Sequence, residues 1–283
     1  MLQPDMGHLV NVSFAETSAD RFISQFILDS IDANGFLSAR IWLTLPSSLL
    51  HNPEGDRRFV RFPSGVEGSI YASLESLTES ILGREGKRDD GAAMRIGRCL
   101  IDANWGHSTN VVYQFCRQSP HASILLPSNG RFVGASSNPF SEYKRRPGDR
   151  VGLNWRVPLI HGKRAIRHVI YDTNWWKSFT HARLAVAMGD RGWLSIFGTQ
   201  SETHRMFAEQ ITAEYFVKTE GRGRTVDEWN PRPEQPDNHW LDGLVGTAVA
   251  ASMQGSLLYG TDSIASIQPT RKSVMEMQRN RRS

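Results

Sequence analysis

Three aspartates stand where a carboxylate can do chemistry. Asp102 follows the apolar run Cys99–Leu100–Ile101, Asp172 ends AIRHVIYD, and Asp242 interrupts the otherwise apolar stretch HWLDGLVGTAVAA. A carboxylate at the C-terminal end of a buried strand projects into the crevice where open α/β sheets bind ligands. An acid among Leu241, Leu244, Val245 and Ala248 is costly to bury unless a cation or a donor faces it. Carboxylates that the fold brings together repel, and each raises the pKa of the other. A hard divalent cation such as Mg²⁺ relieves that repulsion and takes oxygen ligands. Two such ions clamp the attacking and leaving oxygens in phosphodiester cleavage. An Asp after a strand is also a common turn former or helix cap, so Asp102 and Asp172 each carry a structural reading beside the chemical one.

Other chemistries lack their residues. Cys99 and Cys116 are too few for a disulfide scaffold and have no zinc-ligand spacing. No G-x-x-x-x-G-K-[ST] loop and no G-x-S-x-G elbow occurs. The G-R-G-R of Gly221–Arg224 reads as part of a loop, not as a strand-to-helix phosphate cradle.

Positive charge is concentrated in two places. The chain of 283 residues has a formal net charge of +4. The last 14 residues hold Arg271, Lys272, Arg279, Arg281 and Arg282 against Glu276, which equals that net charge, so the rest is neutral by count. This tail is either solvated and disordered or a non-specific phosphate binder. The second cluster is a loop, Ser136–Arg150, in which Lys144, Arg145, Arg146 and Arg150 alternate with Phe140, Tyr143, Pro147 and Gly148. Cations interleaved with aromatics can follow a nucleic-acid backbone. No stretch approaches the roughly 18 apolar residues of a membrane span, and the N-terminus has no secretory pattern, so a reducing cytoplasm is expected.

The elements that must position these groups follow from periodicity. Helices are expected over Ala19–Ile31, Gly65–Gly83, from Thr109 to Gln118, over Asn174–Met188, over Thr203–Val217, and from His239 after an Asp237 or Asn238 cap. Strands are expected over Ala39–Leu45, Met94–Ile101, Ala122–Leu126 and Trp193–Phe197. Val151–Val157 and Ala165–Tyr171 read as the two arms of a hairpin. The strand–helix–strand spacing around Asp102 is that of a βαβ unit with parallel strands.

The runs CLIDANWGHSTNVVYQFCR, SILLPSNGR, VIYDTNWWKSFTHARL, AEQITAEYF and DNHWLDGLVGTAVAA, in this order, resemble the nuclease half of phage DNA-packaging terminase large subunits of the lambda type. The resemblance covers about Gly65–Met253. It rests on Asp102 followed by Thr109, Val112, Tyr113 and Phe115, on Asp172, Thr173 and Lys177, and on Asn238 with Asp242. It implies a ribonuclease-H-like α/β fold, a mixed central sheet flanked by helices, and a site built on Mg²⁺ or Mn²⁺. Asp102 and Asp242 match the family's acids as catalytic and metal-binding residues. Asp172, Lys177 and Asn238 match as neighbours, with Lys177 near phosphate. Double-stranded DNA is the implied substrate, cut during packaging, and a small terminase subunit and the portal are the implied partners.

The first 64 residues depart from that pattern. The family's first acid-bearing strand is not recognisable in them, and Asp29 and Asp32 are the nearest acids. The expected division is a poorly packed segment over 1–64, a nuclease domain over 65–260 incomplete at its N-terminal strands, and a basic tail over 261–283. The alternative function is a catalytically incomplete prophage remnant that keeps the fold and at most binds DNA.

Overall fold

The computed structural model describes residues 8–16, 21–31, 37–40, 65–82, 86–87, 93–94, 96–104, 109–159, 167–187, 190, 192–196, 204–234, 238–256 and 258–261. Asp32, residues 41–45 of the expected strand and the tail from residue 262 lie outside them.

The chain begins with an antiparallel meander, β1 (His8–Glu16), β2 (Arg21–Ile31) and β3 (Leu37–Arg40). This corrects two expectations. Residues 21–31, expected as a helix, are a strand, and the sheet does not lack N-terminal strands. Phe22, Ile23, Phe26 and Ile27 fit a helical face. But Phe22, Ser24, Phe26 and Leu28 also alternate at period two, and pairing with β1 selects that period. Short apolar runs are ambiguous in this way until a partner strand is known.

Helix α1 (Gly65–Leu82) follows, close to the expected Gly65–Gly83, and a two-residue ribbon of β4 (Gly86–Lys87) and β5 (Ala93–Met94) comes next. The βαβ unit is formed as expected: β6 (Ile96–Asp102), α2 (Thr109–Gln118) and β7 (Leu125–Arg131), with β6 and β7 parallel. Strand β7 starts three residues later than expected, because His121 O accepts from the N–H groups of Ile124 and Leu125 and holds residues 119–124 in turns.

The expected hairpin arms are redistributed. Val151–Val157 is itself a tight hairpin, β8 (Arg150–Gly152) and β9 (Trp155–Val157), turned at Asn154, whose φ is 51°. Asparagine tolerates that left-handed region better than most residues. Strand β10 (Val169–Asp172) then pairs parallel to β7 and antiparallel to β9.

Helix α3 (Thr173–Leu184), strand β11 (Leu194–Ile196) and helix α4 (Arg205–Ile211) come next. The expected helix over Thr203–Val217 therefore stops at Ile211. Beyond it β12 (Glu214–Gly221) and β13 (Arg224–Pro231) form a hairpin out of what reads as helix end and loop. Its turn residues Arg222 and Gly223 both have positive φ, 52° and 72°, the backbone of a two-residue turn that matches strand twist. Helix α5 (His239–Met253) closes the fold.

The main sheet runs β11-β3-β2-β1-β6-β7-β10-β9-β8, with β1, β6, β7 and β10 mutually parallel. Alternation along β6 sorts its residues between two cores. Cys99 and Ile101 join Leu74, Val112 and Phe115 under α1 and α2. Leu100 joins Trp176, Tyr171, Leu241 and Val245 under α3 and α5. Asp102, two residues past Leu100, shares the α5 side by the same alternation. Helix α5 lies across β1, β2 and β6. Nearly all of it from Trp240 to Ala251 is buried. Among the described residues, no helix is long and apolar enough to cross a membrane.

Candidate functional site

The carboxyl ends of the parallel strands β6, β7 and β10 carry Asp102, Arg131 and Asp172. Asp102 pairs in register with Ser128 of β7, and the next residue, Ala103, donates its N–H to Ser128 O at 2.8 Å. The Asp102 Oδ1 accepts from Asn104 N at 3.1 Å, and Asn104 Nδ2 donates to Gly130 O at 2.8 Å. Burial pushes the Asp102 carboxyl up from 3.8 to about 6. The backbone N–H groups of Asn104 and Ala103 pull it down, and the negative charge of Asp242 pushes it further up. Tyr171, buried beside them, has its hydroxyl raised by burial and then by Asp102 and Asp242. The charge of Asp242 on α5 is thus felt at both Asp102 of β6 and Tyr171 of β10.

Asp242 sits in the first turn of α5, where the helix dipole favours an anion. The residues on either side are buried, yet the Asp242 side chain keeps 43% of its surface exposed. The cost of burying this carboxylate is thus largely avoided, since it stays partly open to solvent.

Lys177 of α3 is the cation facing it. Its Nζ is 3.1 Å from Asp242 Oδ1 and 2.6 Å from Glu214 Oε1, with Lys177 and Glu214 both buried. Burial lowers the Lys177 ammonium, but Asp242 and Glu214 outweigh it and hold its pKa above the usual value. Asn238 is the N-cap position of α5, but its side-chain amide donates to Glu214 Oε1 instead of capping the helix. Lys177 and Asn238, expected as neighbours of the acids, are joined through Glu214.

Asp172 is placed as a cap. It is the N-cap of α3, and its Oδ1 accepts from Trp175 N at 3.2 Å. Burial raises it to about 6, against the N–H groups of Trp175 and Asn174 and the charge of Arg224.

Glu214 was not among the sequence candidates, because Thr203–Val217 reads as one helix. The run of strand-favouring residues Tyr215, Phe216, Val217 and Thr219 is the signal for a strand there. The hairpin that carries Glu214 is fastened to α3. Asn174 Oδ1 accepts from Trp229 N at 3.0 Å, Trp229 Nε1 donates to Ser178 Oγ at 2.9 Å, and Ser178 Oγ donates to Asp227 Oδ2 at 3.0 Å.

Next to the strand ends lies a groove of about 940 Å³, lined by Arg131, Phe140, Tyr143, Lys144, Arg145, Arg146 and Arg156 among others, with Glu142 its one acid. Asp149 builds this loop. Its carboxylate accepts from Tyr143 Oη at 2.7 Å, Arg146 N at 2.9 Å and Leu159 N at 2.8 Å. Those bonds, the Leu159 N–H first, hold it near pKa 2. The Arg156 guanidinium stacks 3.9 Å over the Tyr143 ring. Lys144, Arg145, Arg146 and Arg150 all stay exposed. Arg150 does not line the groove, whereas Arg131 and Arg156, not expected from sequence, do.

Among the described residues, no three or more His, Cys, Asp or Glu side chains form a group that could hold a metal ion. The carboxylate pair still suits a hard cation. Asp102 is desolvated and repelled by Asp242, and Mg²⁺ is commonly held by one or two carboxylates, with waters and substrate phosphates completing its shell.

The sheet, parallel at its centre, carries Asp102, Asp172 and a basic groove at the carboxyl ends of its strands, the edge where open α/β sheets bind ligands. The chain matches the family model of the terminase large subunit gpA endonuclease domain over residues 66–257 and belongs to that family. Searches of curated proteins and of solved structures find no match.

The partly buried Asp102 leads to a stability prediction. Asp102 has a folded pKa above its unfolded value, so the folded state resists its ionisation. Stability from this group is full below about pH 4 and is lost as pH rises through 6. Asp102→Asn should therefore raise the stability of the protein by about 1–3 kcal/mol at pH 8 and leave it unchanged near pH 3. Thermal unfolding at the two pH values checks this; a variant no more stable than the parent at pH 8 counts against it.

Proposed function

We propose that this chain is a divalent-metal-dependent endonuclease that cuts double-stranded DNA during phage DNA packaging, on a ribonuclease-H-like frame. The observation that carries the reading is the family match over residues 66–257, with Asp102 at the carboxyl end of β6 and Asp242 in the first turn of α5. The strand order β3-β2-β1-β6-β7, a meander followed by parallel additions, supports the frame. It also extends the proposed nuclease unit back to β1.

Asp102 and Asp242 would hold Mg²⁺ or Mn²⁺. When bound, such an ion polarises the phosphodiester and lowers the pKa of a coordinated water. Lys177 and Glu214 keep the Asp242 carboxylate in one orientation at the mouth of the site. Arg131, Lys144, Arg145, Arg146 and Arg156 would lay the DNA backbone along the groove. The small terminase subunit and the portal are the proposed partners, as the family implies. Plasmid nicking tests the reading: supercoiled DNA should be nicked with Mg²⁺ or Mn²⁺ and left intact with chelator. Nicking that persists in chelator would sink the metal reading.

A specific observation favours a second reading, a site that binds DNA but cuts it weakly. Strand β1 meets β6 through His8–Val12, which contain no acid, and its one acid, Glu16, lies four residues beyond Val12, the partner of Ile101, past the level of Asp102. Asp29 lies in β2, which pairs with β1 and β3 and not with β6. Nicking by this chain is accordingly expected to be slow.

DNA binding should be steeply salt-dependent and indifferent to sequence, since phosphate contacts position without specifying. Replacing Lys144, Arg145 and Arg146 by Ala should flatten the plot of log affinity against log salt by about one unit per lost contact. An unchanged slope would show that the groove does not bind the backbone.

A further inference from the structure

We propose that the basic groove takes DNA as a single strand, with bases stacked on Phe140 and Tyr143, so that one strand leaves the duplex where it enters the groove. The inference rests on the reading of the groove as a DNA contact. It goes further by assigning the form of DNA that the groove holds.

A duplex keeps the faces of its bases stacked against one another and offers a protein only edges and backbone. Cations alone would serve it. This groove mixes cations with planar rings. Lys144, Arg145 and Arg146 stand exposed on the loop, Arg131 ends β7, and Arg156 lies on β9. Phe140 opens the 3₁₀ turn Phe140–Glu142, Tyr143 follows it, and both rings are half-exposed in the groove. The Arg156 guanidinium lies 3.9 Å from the centre of the Tyr143 ring and 5.3 Å from that of Phe140, so one cation joins two rings. Its Nε is buried without a hydrogen-bond partner among the described residues, so ring contact sets its plane. The Tyr143 ring is fixed as well, since its hydroxyl donates to Asp149 Oδ2 at 2.7 Å. Rings and guanidinium planes held in this way are ready surfaces for unpaired bases, and every base has a π face, so the contact tolerates any sequence. Cations that track a backbone beside aromatics that stack its bases are the combination that single-strand binders use. The one acid of the lining, Glu142, is faced by Arg222 at 3.7 Å, which offsets its repulsion of phosphates. Size agrees. A volume of about 940 Å³ falls in the range that encloses a small organic ligand, room for a short piece of one strand and not for a duplex. At Arg131 the groove reaches the carboxyl edge of the sheet, where Gly130 O accepts from Asn104, two residues past Asp102.

The test is binding of the full chain to a fluorescein-labelled oligothymidylate and to a duplex of the same length, with chelator present so that no cutting intervenes. Phe140→Leu should weaken single-strand binding about tenfold, the size of one lost base–aromatic stack, and leave duplex binding and the single-strand salt slope unchanged. Phe140→Trp, which keeps an aromatic face, should bind the single strand as the parent does. Single-strand affinity unchanged in both Phe140→Leu and Tyr143→Leu overturns the proposal. A loss shared equally by single strand and duplex also overturns it, since that marks a ring that only supports the loop. Replacing Lys144, Arg145 and Arg146 together by Ala separates this proposal from the reading beneath it. If that variant binds both forms of DNA with the parent's affinity and salt slope, the groove does not contact DNA and both fall. If it loses affinity for both forms while Phe140→Leu and Tyr143→Leu lose none, the single-strand proposal alone falls.

Discussion

Asp102→Asn and Asp242→Asn should each cut Mn²⁺-dependent plasmid nicking at least about a hundredfold. Partners that merely orient metal ligands cost 10–100-fold when removed, and a ligand itself should cost no less. The two substitutions keep side-chain volume and remove one negative charge, so DNA binding should hold or tighten slightly. For Asp102→Asn the stability at pH 8 should rise, since the group resists ionisation in the folded state. Lost cutting, retained binding and gained stability in one variant cannot be produced by misfolding. Nicking rates at matched metal concentration, with binding titrated in parallel, provide the measurement. Cutting that survives both changes would place the chemistry elsewhere on the molecule.

The second large effect falls on the buried ion pair. Lys177→Met removes the ammonium that lies 2.6 Å from Glu214, leaving a buried carboxylate without its cation. Breaking a buried pair from one side costs about 3–5 kcal/mol, because the remaining charge keeps its desolvation penalty. For a domain of this size that corresponds to a fall in Tm on the order of 10 °C. Neutralising the orphaned acid as well, in Lys177→Met with Glu214→Gln, should recover much of the loss, which is the sign of direct coupling. Denaturant titration of the single and double variants measures it. A single variant within about 1 kcal/mol of the parent would show that the network is a solvated one and that Lys177 does not hold Asp242.

Much of the candidate site was legible in the chain itself. The alternation Cys99–Leu100–Ile101–Asp102 specifies a strand buried on both faces and ending in an acid, and its period of two puts Asp102 on the side of Leu100 whatever lies above it. Asn238 and Asp242, four apart at the start of an apolar helix, are fixed one turn apart by helix geometry. Local signals of this kind survive folding because the backbone period alone enforces them. The loop cations were legible too, since Pro147 and Gly148 break any regular element around them.

What the tertiary structure decided were the choices in which two local readings were both allowed. Residues 21–31 satisfy a helical and a strand period, and only the partner β1 selects the strand. Residues 214–217 extend a plausible helix until β13 pairs with them and Asn174 and Ser178 of α3 receive the hairpin. Asp172 and Asp102 look alike in sequence, each an acid after an apolar strand. Asp172 is immediately followed by a helix whose free N–H it caps, whereas Asp102 accepts from Asn104 N in a turn and feels the charge of Asp242, some 140 residues away in the chain. Glu214 enters the site for the same reason, since Lys177, Asn238 and Asp242 come from elements that local periodicity cannot relate. Long-range pairing sets which carboxylates are compensated and which are left to repel, and that distribution of charge, absent from any local pattern, separates a cap from a candidate ligand.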